Sequence, residues 1–176
     1  MNDTGAVEPT MEERLRAFFD ENYEALCLES GHQLGADVRE SAFQQVLLYW
    51  RKLADIAQRV TETEVKLTLA DQKTPKGRTF AIEGVVDIVR EDDRTIMYDL
   101  KTHDASFVRT HADRYAPQLN VYAHIWQALR GNPLDETAII STVPPPALRE
   151  ALFHGDTARA DKELLAWDPV IPIPFD

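Results

Sequence analysis

The spacing of apolar positions changes character along the chain. Leu15, Phe18, Phe19, Tyr23 and Leu26 recur at helical intervals, and Thr10 followed by Glu13 has the form of a capping box. A helix is therefore predicted over roughly 10–29. Residues 1–9 read as a frayed start, and "SGHQLG" interrupts the helical period. A second helix is predicted over roughly 36–60, with Val38, Ala42, Val46, Tyr49, Leu53 and Ile56 on one stripe. The period then falls to two. "EVKLTLA" (64–70), "RTFAIEGVVDIVR" (78–90) and "TIMYDLKT" (95–102) read as strands separated by "DQKTPKG" and "EDD". "HADRYAPQLNVYAHIWQALRG" returns to helical spacing and stops at Gly131. "TAIISTV" (137–143) is a further strand, ended by "PPP" (144–146). A short helix near 157–166 and a proline-spaced tail, "WDPVIPIPFD", close the chain.

"GVVDIV" and "TIMYDL" are apolar on both faces, as in strands covered by helices on either side. The predicted architecture is α/β, a mixed central sheet of about four or five strands flanked by helices on both faces. One domain is expected, with a helical part over 1–60, a core over 61–143, and a C-terminal helix and tail over 144–176.

Composition narrows the function classes. The 176 residues carry a formal charge of −11, a poor match for passive binding to a polyanion. A metal-dependent enzyme tolerates that charge better, because its site needs carboxylates. The single cysteine, Cys27, excludes an internal disulfide and a cysteine-built metal site. No apolar run reaches the roughly 18 residues of a membrane span, and the start lacks a secretory pattern, so a cytoplasmic protein is expected.

Within "GVVDIV" and "TIMYDLKT" three charged residues stand among apolar neighbours: Asp87, Asp99 and Lys101. Asp99 and Lys101 are two apart and share a strand face. If the turn occupies Asp92, Asp93 and Arg94, Glu91 opposes Thr95 and Asp87 opposes Asp99. A two-residue turn would instead oppose Asp87 to Tyr98 and send the two carboxylates to opposite faces. Paired carboxylates suit Mg²⁺ or Mn²⁺, and a neighbouring lysine suits charge developing during phosphodiester hydrolysis. Gln118 and Tyr122, at i and i+4, share a helix face.

Together "GVVD" (84–87), "DLKT" (99–102) and "QLNVY" (118–122) resemble, in order and spacing, the motifs of the PD-(D/E)XK nucleases. The likeness is to the RecB-type branch, which includes the exonucleases of CRISPR adaptation. It covers about residues 60–130. It implies a restriction-endonuclease-like core, with Asp87, Asp99 and the Leu100 carbonyl as ligands of Mg²⁺ or Mn²⁺. It implies Lys101 as the catalytic lysine, with Gln118 and Tyr122 supporting the site and touching DNA. The implied activity is a deoxyribonuclease, leaning to exonuclease action on single- or double-stranded ends. Its setting would be a repair, recombination or phage-defence assembly with a helicase or other protein. Glu64 matches an acidic position frequent in that branch. Two departures stand out. The metal-ligating histidine of many relatives is missing from "GADVRESAFQQ", leaving Glu40, His32 or no residue as a third ligand. The four cysteines of the iron–sulfur relatives are also missing, so no cluster is expected. The alternative from another class is a catalytically inactive nuclease-like module for DNA docking or assembly. The polar stretch His103–Arg114 is a further candidate for meeting DNA. Trp50, Trp126 and Trp167 are candidates for stacking on bases, but Trp50 and Trp126 lie in predicted helices and read as core.

Overall fold

Thr10 opens the first helix as the sequence pattern predicts. In the computed structural model, which describes residues 8–175, its hydroxyl accepts the Glu13 amide while Glu13 Oε2 accepts the Thr10 amide at 2.7 Å. The frayed start expected over 1–9 lies largely outside the described residues. Helix α1 spans Met11–Ser30 and ends on Gly31, whose φ of 71° is a conformation glycine adopts without steric cost. Helix α2 spans Ala36–Ala57 and leaves helical geometry at Leu53. The stripe expected on α2 is displaced: Phe43, Leu47 and Leu48 are its buried residues, and Val38 is exposed. Two adjacent apolar stripes run along this helix, and the sequence alone does not say which one is covered.

The chain forms two compact units, Met1–Ala54 and Asp55–Asp176. In the first, Phe43 packs edge-on against Phe19 at 5.5 Å, and Arg16 lies over the Phe43 ring. The second holds strands β1 (Glu62–Lys73), β2 (Thr79–Glu91), β3 (Thr95–Asp104), β4 (Glu136–Val143) and β5 (Val170–Pro172). They form one mixed sheet in the order β1-β2-β3-β4-β5, parallel only between β3 and β4. The crossover from β3 to β4 carries α3 (Ala105–Thr110), a short 3-10 turn at Ala112–Arg114 and α4 (Ala116–Arg130). Helices α5 (Pro146–Phe153) and α6 (Thr157–Ala166) precede β5.

Several local expectations are corrected here. The helix predicted from His111 begins at Ala116, and the polar stretch His103–Arg114 contains α3, with Asp104 accepting the Phe107 amide as its N-cap. The prolines that end β4 also start α5, because Pro146 in the first turn has no amide to leave unpaired. The tail packs on its own domain, as a fifth strand pairing Ile171 with Ile139. One core face gathers Met97, Ile139, Ile171, Leu119, Ile125 and Trp126, all nearly or fully buried. The opposite sheet face buries Ile96, Tyr98, Ala138 and Ile140.

Candidate active site

The β2–β3 turn sets the register on which the site depends. Its three residues, Asp92–Arg94, are tied by Arg90, whose Nε donates to Asp92 Oδ2 at 2.6 Å and whose Nη2 donates to Asp93 Oδ1 at 3.2 Å. The Arg90 guanidinium holds the Asp92 carboxyl well below the usual carboxylate range. Glu91 opposes Thr95, Val89 opposes Met97 and Ile88 opposes Tyr98. This is the three-residue-turn register. The two-residue alternative does not occur.

Past Ile88 the strand does not keep strict alternation. Val86 and Val89, three residues apart, are both fully buried in one cluster, which a period of two does not allow without a break. The break falls at Asp87, and opposite it on β1 Glu64 has a φ of 51°. Here the β2–β3 ladder ends, and the Asp87 side chain takes over a backbone partner. Its Oδ2 accepts the Leu100 amide at 2.7 Å. In an extended strand a residue's amide and carbonyl point to the same side, so the Leu100 carbonyl faces Asp87 as well.

Asp99 is 3% exposed. Burial pushes its carboxyl above the ordinary range; the Lys101 ammonium opposes this, and the nearby Asp87 charge adds to it. Asp99 Oδ2 makes no well-directed hydrogen bond, and its partner is Lys101 Nζ in a 2.5 Å ion pair. Lys101 Nζ also donates to Gln118 Oε1 at 3.3 Å, and Gln118 Nε2 donates to the Tyr122 hydroxyl at 2.7 Å. The Lys101 carbonyl accepts the Thr142 hydroxyl at 3.2 Å, where the β3–β4 ladder loses register. A continuous chain of contacts thus runs from Asp99 through Lys101 and Gln118 to Tyr122.

Gly84 completes that chain. A Cβ at this position would stand 2.5 Å from Tyr122 Cε1 and 3.0 Å from Cδ1. The glycine of "GVVD" therefore serves to let the Tyr122 ring lie against β2. Its packing role is invisible in the strand sequence, where nothing shows which helix lies over it.

The structure brings Asp87, Asp99, Leu100, Lys101, Gln118 and Tyr122 together. Glu64 is exposed on β1, where its φ is 51°. In the first unit His32 is exposed between the helices, and Glu40 accepts Arg16 at 2.8 Å and Gln44 at 2.8 Å. Arg109 is tied to Asp168 at 2.7 Å. Trp126 and Trp167 are buried, at 0% and 3% exposure, and offer no face to a base. Among the described residues no group of three His, Cys, Asp or Glu side chains is arranged to hold a metal ion. The oxygen donors at Asp87, Asp99 and Leu100 nevertheless suit a hard divalent cation that keeps several waters, and Asp99 Oδ2 lacks a directed hydrogen bond.

The sequence model of the PD-(D/E)XK nuclease superfamily matches residues 3–165. No curated protein matches the sequence. Among solved structures, the crystal structure of SSO0001 is similar at 14% identity and a TM-score of 0.38, over 78% of this chain and 64% of that one. The chain thus spans less than two thirds of that relative's length. Among the described residues no helix is long and apolar enough to cross a membrane.

Proposed function

This chain belongs to the PD-(D/E)XK nuclease superfamily, and on that premise we propose that it is a divalent-metal-dependent deoxyribonuclease hydrolysing DNA phosphodiester bonds. The observation that carries the reading is the Asp87–Asp99–Lys101 grouping at the end of the β2–β3 ladder. Asp87 and Asp99, with the Leu100 carbonyl, would hold Mg²⁺ or Mn²⁺. When bound, that ion lowers the cost of deprotonating water and offsets charge growing on the phosphate.

The chain's own residues supply the rest. Lys101 presents a fixed ammonium beside the buried carboxylate, able to orient the attacking water and stabilise a developing phosphate charge. Gln118 and Tyr122 limit where that ammonium can go, so little reorganisation is left for the reacting state. Asp87 holds the Leu100 amide and so fixes the backbone segment between the two catalytic side chains. The acidic surface, −11 in formal charge, fits a nuclease that meets DNA ends as an exonuclease beside a basic partner, in a cytoplasmic repair or defence assembly. Residues 1–60, 61–143 and 144–176 then act as parts of one nuclease domain. The same −11 charge favours a second reading, a catalytically inactive module for docking or assembly.

The two readings separate in a cleavage assay on linear single- and double-stranded DNA with Mn²⁺. The nuclease reading expects cleavage by the native chain, and a loss of about 100-fold or more in both Asp99→Ala and Lys101→Ala. Cleavage surviving both substitutions refutes the site. No cleavage by the native chain selects the inactive module.

A further inference from the structure

We propose that His103 is a stacking platform for an unpaired base, which places a single-stranded DNA end with its adjoining phosphate at Lys101. The inference rests on the nuclease reading above and adds to it the kind of substrate. His103 follows Lys101 by two residues on β3, a strand rise of roughly 6.6 Å. Both side chains reach the start of the same helix. Lys101 Nζ meets Gln118 at 3.3 Å, and His103 Nδ1 meets the Tyr115 hydroxyl at 3.1 Å. The two therefore share a face, next to each other.

The imidazole is held for this task. Phe107 stacks on one ring face at 4.7 Å with the planes 19° apart, and His111 stacks behind Phe107 at 4.1 Å and 21°. The Arg114 guanidinium lies 5.7 Å from the Phe107 centroid and adds positive charge beside the stack. His103 nonetheless remains exposed, whereas Trp126 and Trp167 are buried. A ring fixed by a hydrogen bond and a stacked neighbour loses little freedom when a base lands on it. Paired bases keep their faces stacked within the duplex. A platform of this kind therefore selects unpaired nucleotides.

The test measures binding apart from cleavage. A single-stranded oligonucleotide carrying 2-aminopurine, quenched on stacking, is titrated into the full chain with Lys101→Ala and no divalent ion, alone and with His103→Ala or His103→Phe. The expected result is quenching by the parent, an affinity loss of about tenfold or more with His103→Ala, and retention within about threefold with His103→Phe. Duplex affinity should change little, and the melting temperature of His103→Ala should stay near the parent's. Unchanged affinity in His103→Ala overturns the proposal, as does an equal loss in His103→Phe or no quenching by the parent. Cleavage by the native chain without these effects leaves the nuclease standing and the platform refuted. The effects without cleavage do the reverse.

Discussion

Gly84→Ala is the sharpest mechanical probe of the site, because one methyl group meets one ring. The added Cβ would sit 2.5 Å from Tyr122 Cε1, against an ordinary contact of 3.4–4 Å. The ring must therefore retreat by about 1 Å. Tyr122 is buried at 9% exposure within the core, so its neighbours must yield too. Overpacking of this size costs about 1–3 kcal/mol. Replacing glycine returns about 0.4–1 kcal/mol through the unfolded chain, since φ at Gly84 lies outside the left-handed region. The net expectation is a loss of about 1–2 kcal/mol, read as a lower urea midpoint at unchanged m-value. Tyr122→Val removes the clashing ring atoms, so in that background Gly84→Ala should be neutral or slightly stabilising. The difference between backgrounds is the coupling energy, about 1–3 kcal/mol, because the unfolded-chain gain is common to both and cancels. Tyr122 positions Gln118, which positions Lys101. A 1 Å displacement should thus also lower Mn²⁺-dependent cleavage by up to about 100-fold. Equal cost in both backgrounds, or no cost in the native one, refutes the close packing of glycine and ring.

Two further perturbations follow from the same contacts. Burial raises the Asp99 carboxyl, so between its unfolded and folded values the native state binds more protons and stability falls as pH rises. Without divalent ions, Asp99→Asn should therefore be more stable than the native chain near neutral pH, with the gain shrinking as pH falls through the raised folded value of Asp99 toward the ordinary Asp value and changing no further below it. A pH series of urea midpoints checks this, and a gain that grows on acidification contradicts it. Gln118 is exposed and holds only one of the two contacts on Lys101 Nζ. Gln118→Ala should thus lower cleavage by about tenfold while shifting stability by less than about 0.5 kcal/mol, measured by turnover and thermal melting side by side.

Much of this site is readable along the chain because it depends on short-range rules. Three residues between Glu91 and Thr95 determine which residues face one another, and the observed ladder follows that count. The i, i+4 spacing of Gln118 and Tyr122 likewise gives their hydrogen bond. What stayed hidden depends on partners distant in sequence. The phase break at Asp87 coincides with the strained backbone of Glu64 on another strand, and Gly84 answers to a ring 38 positions later. Helix α3 is six residues long, too short for a period to emerge. Strand β5 is three residues beside prolines and exists through pairing with β4. The placement of His103 against Phe107 depends on that same short helix.

The convergence of Asp87 and Asp99 on one cation is tested most directly by Mn²⁺ titration followed by electron paramagnetic resonance, counting free ion against total. The native chain should take up Mn²⁺ at a site that is lost in Asp87→Ala and in Asp99→Ala alike, and kept in Lys101→Ala. Mn²⁺ uptake that persists unchanged when either aspartate is removed contradicts a shared site.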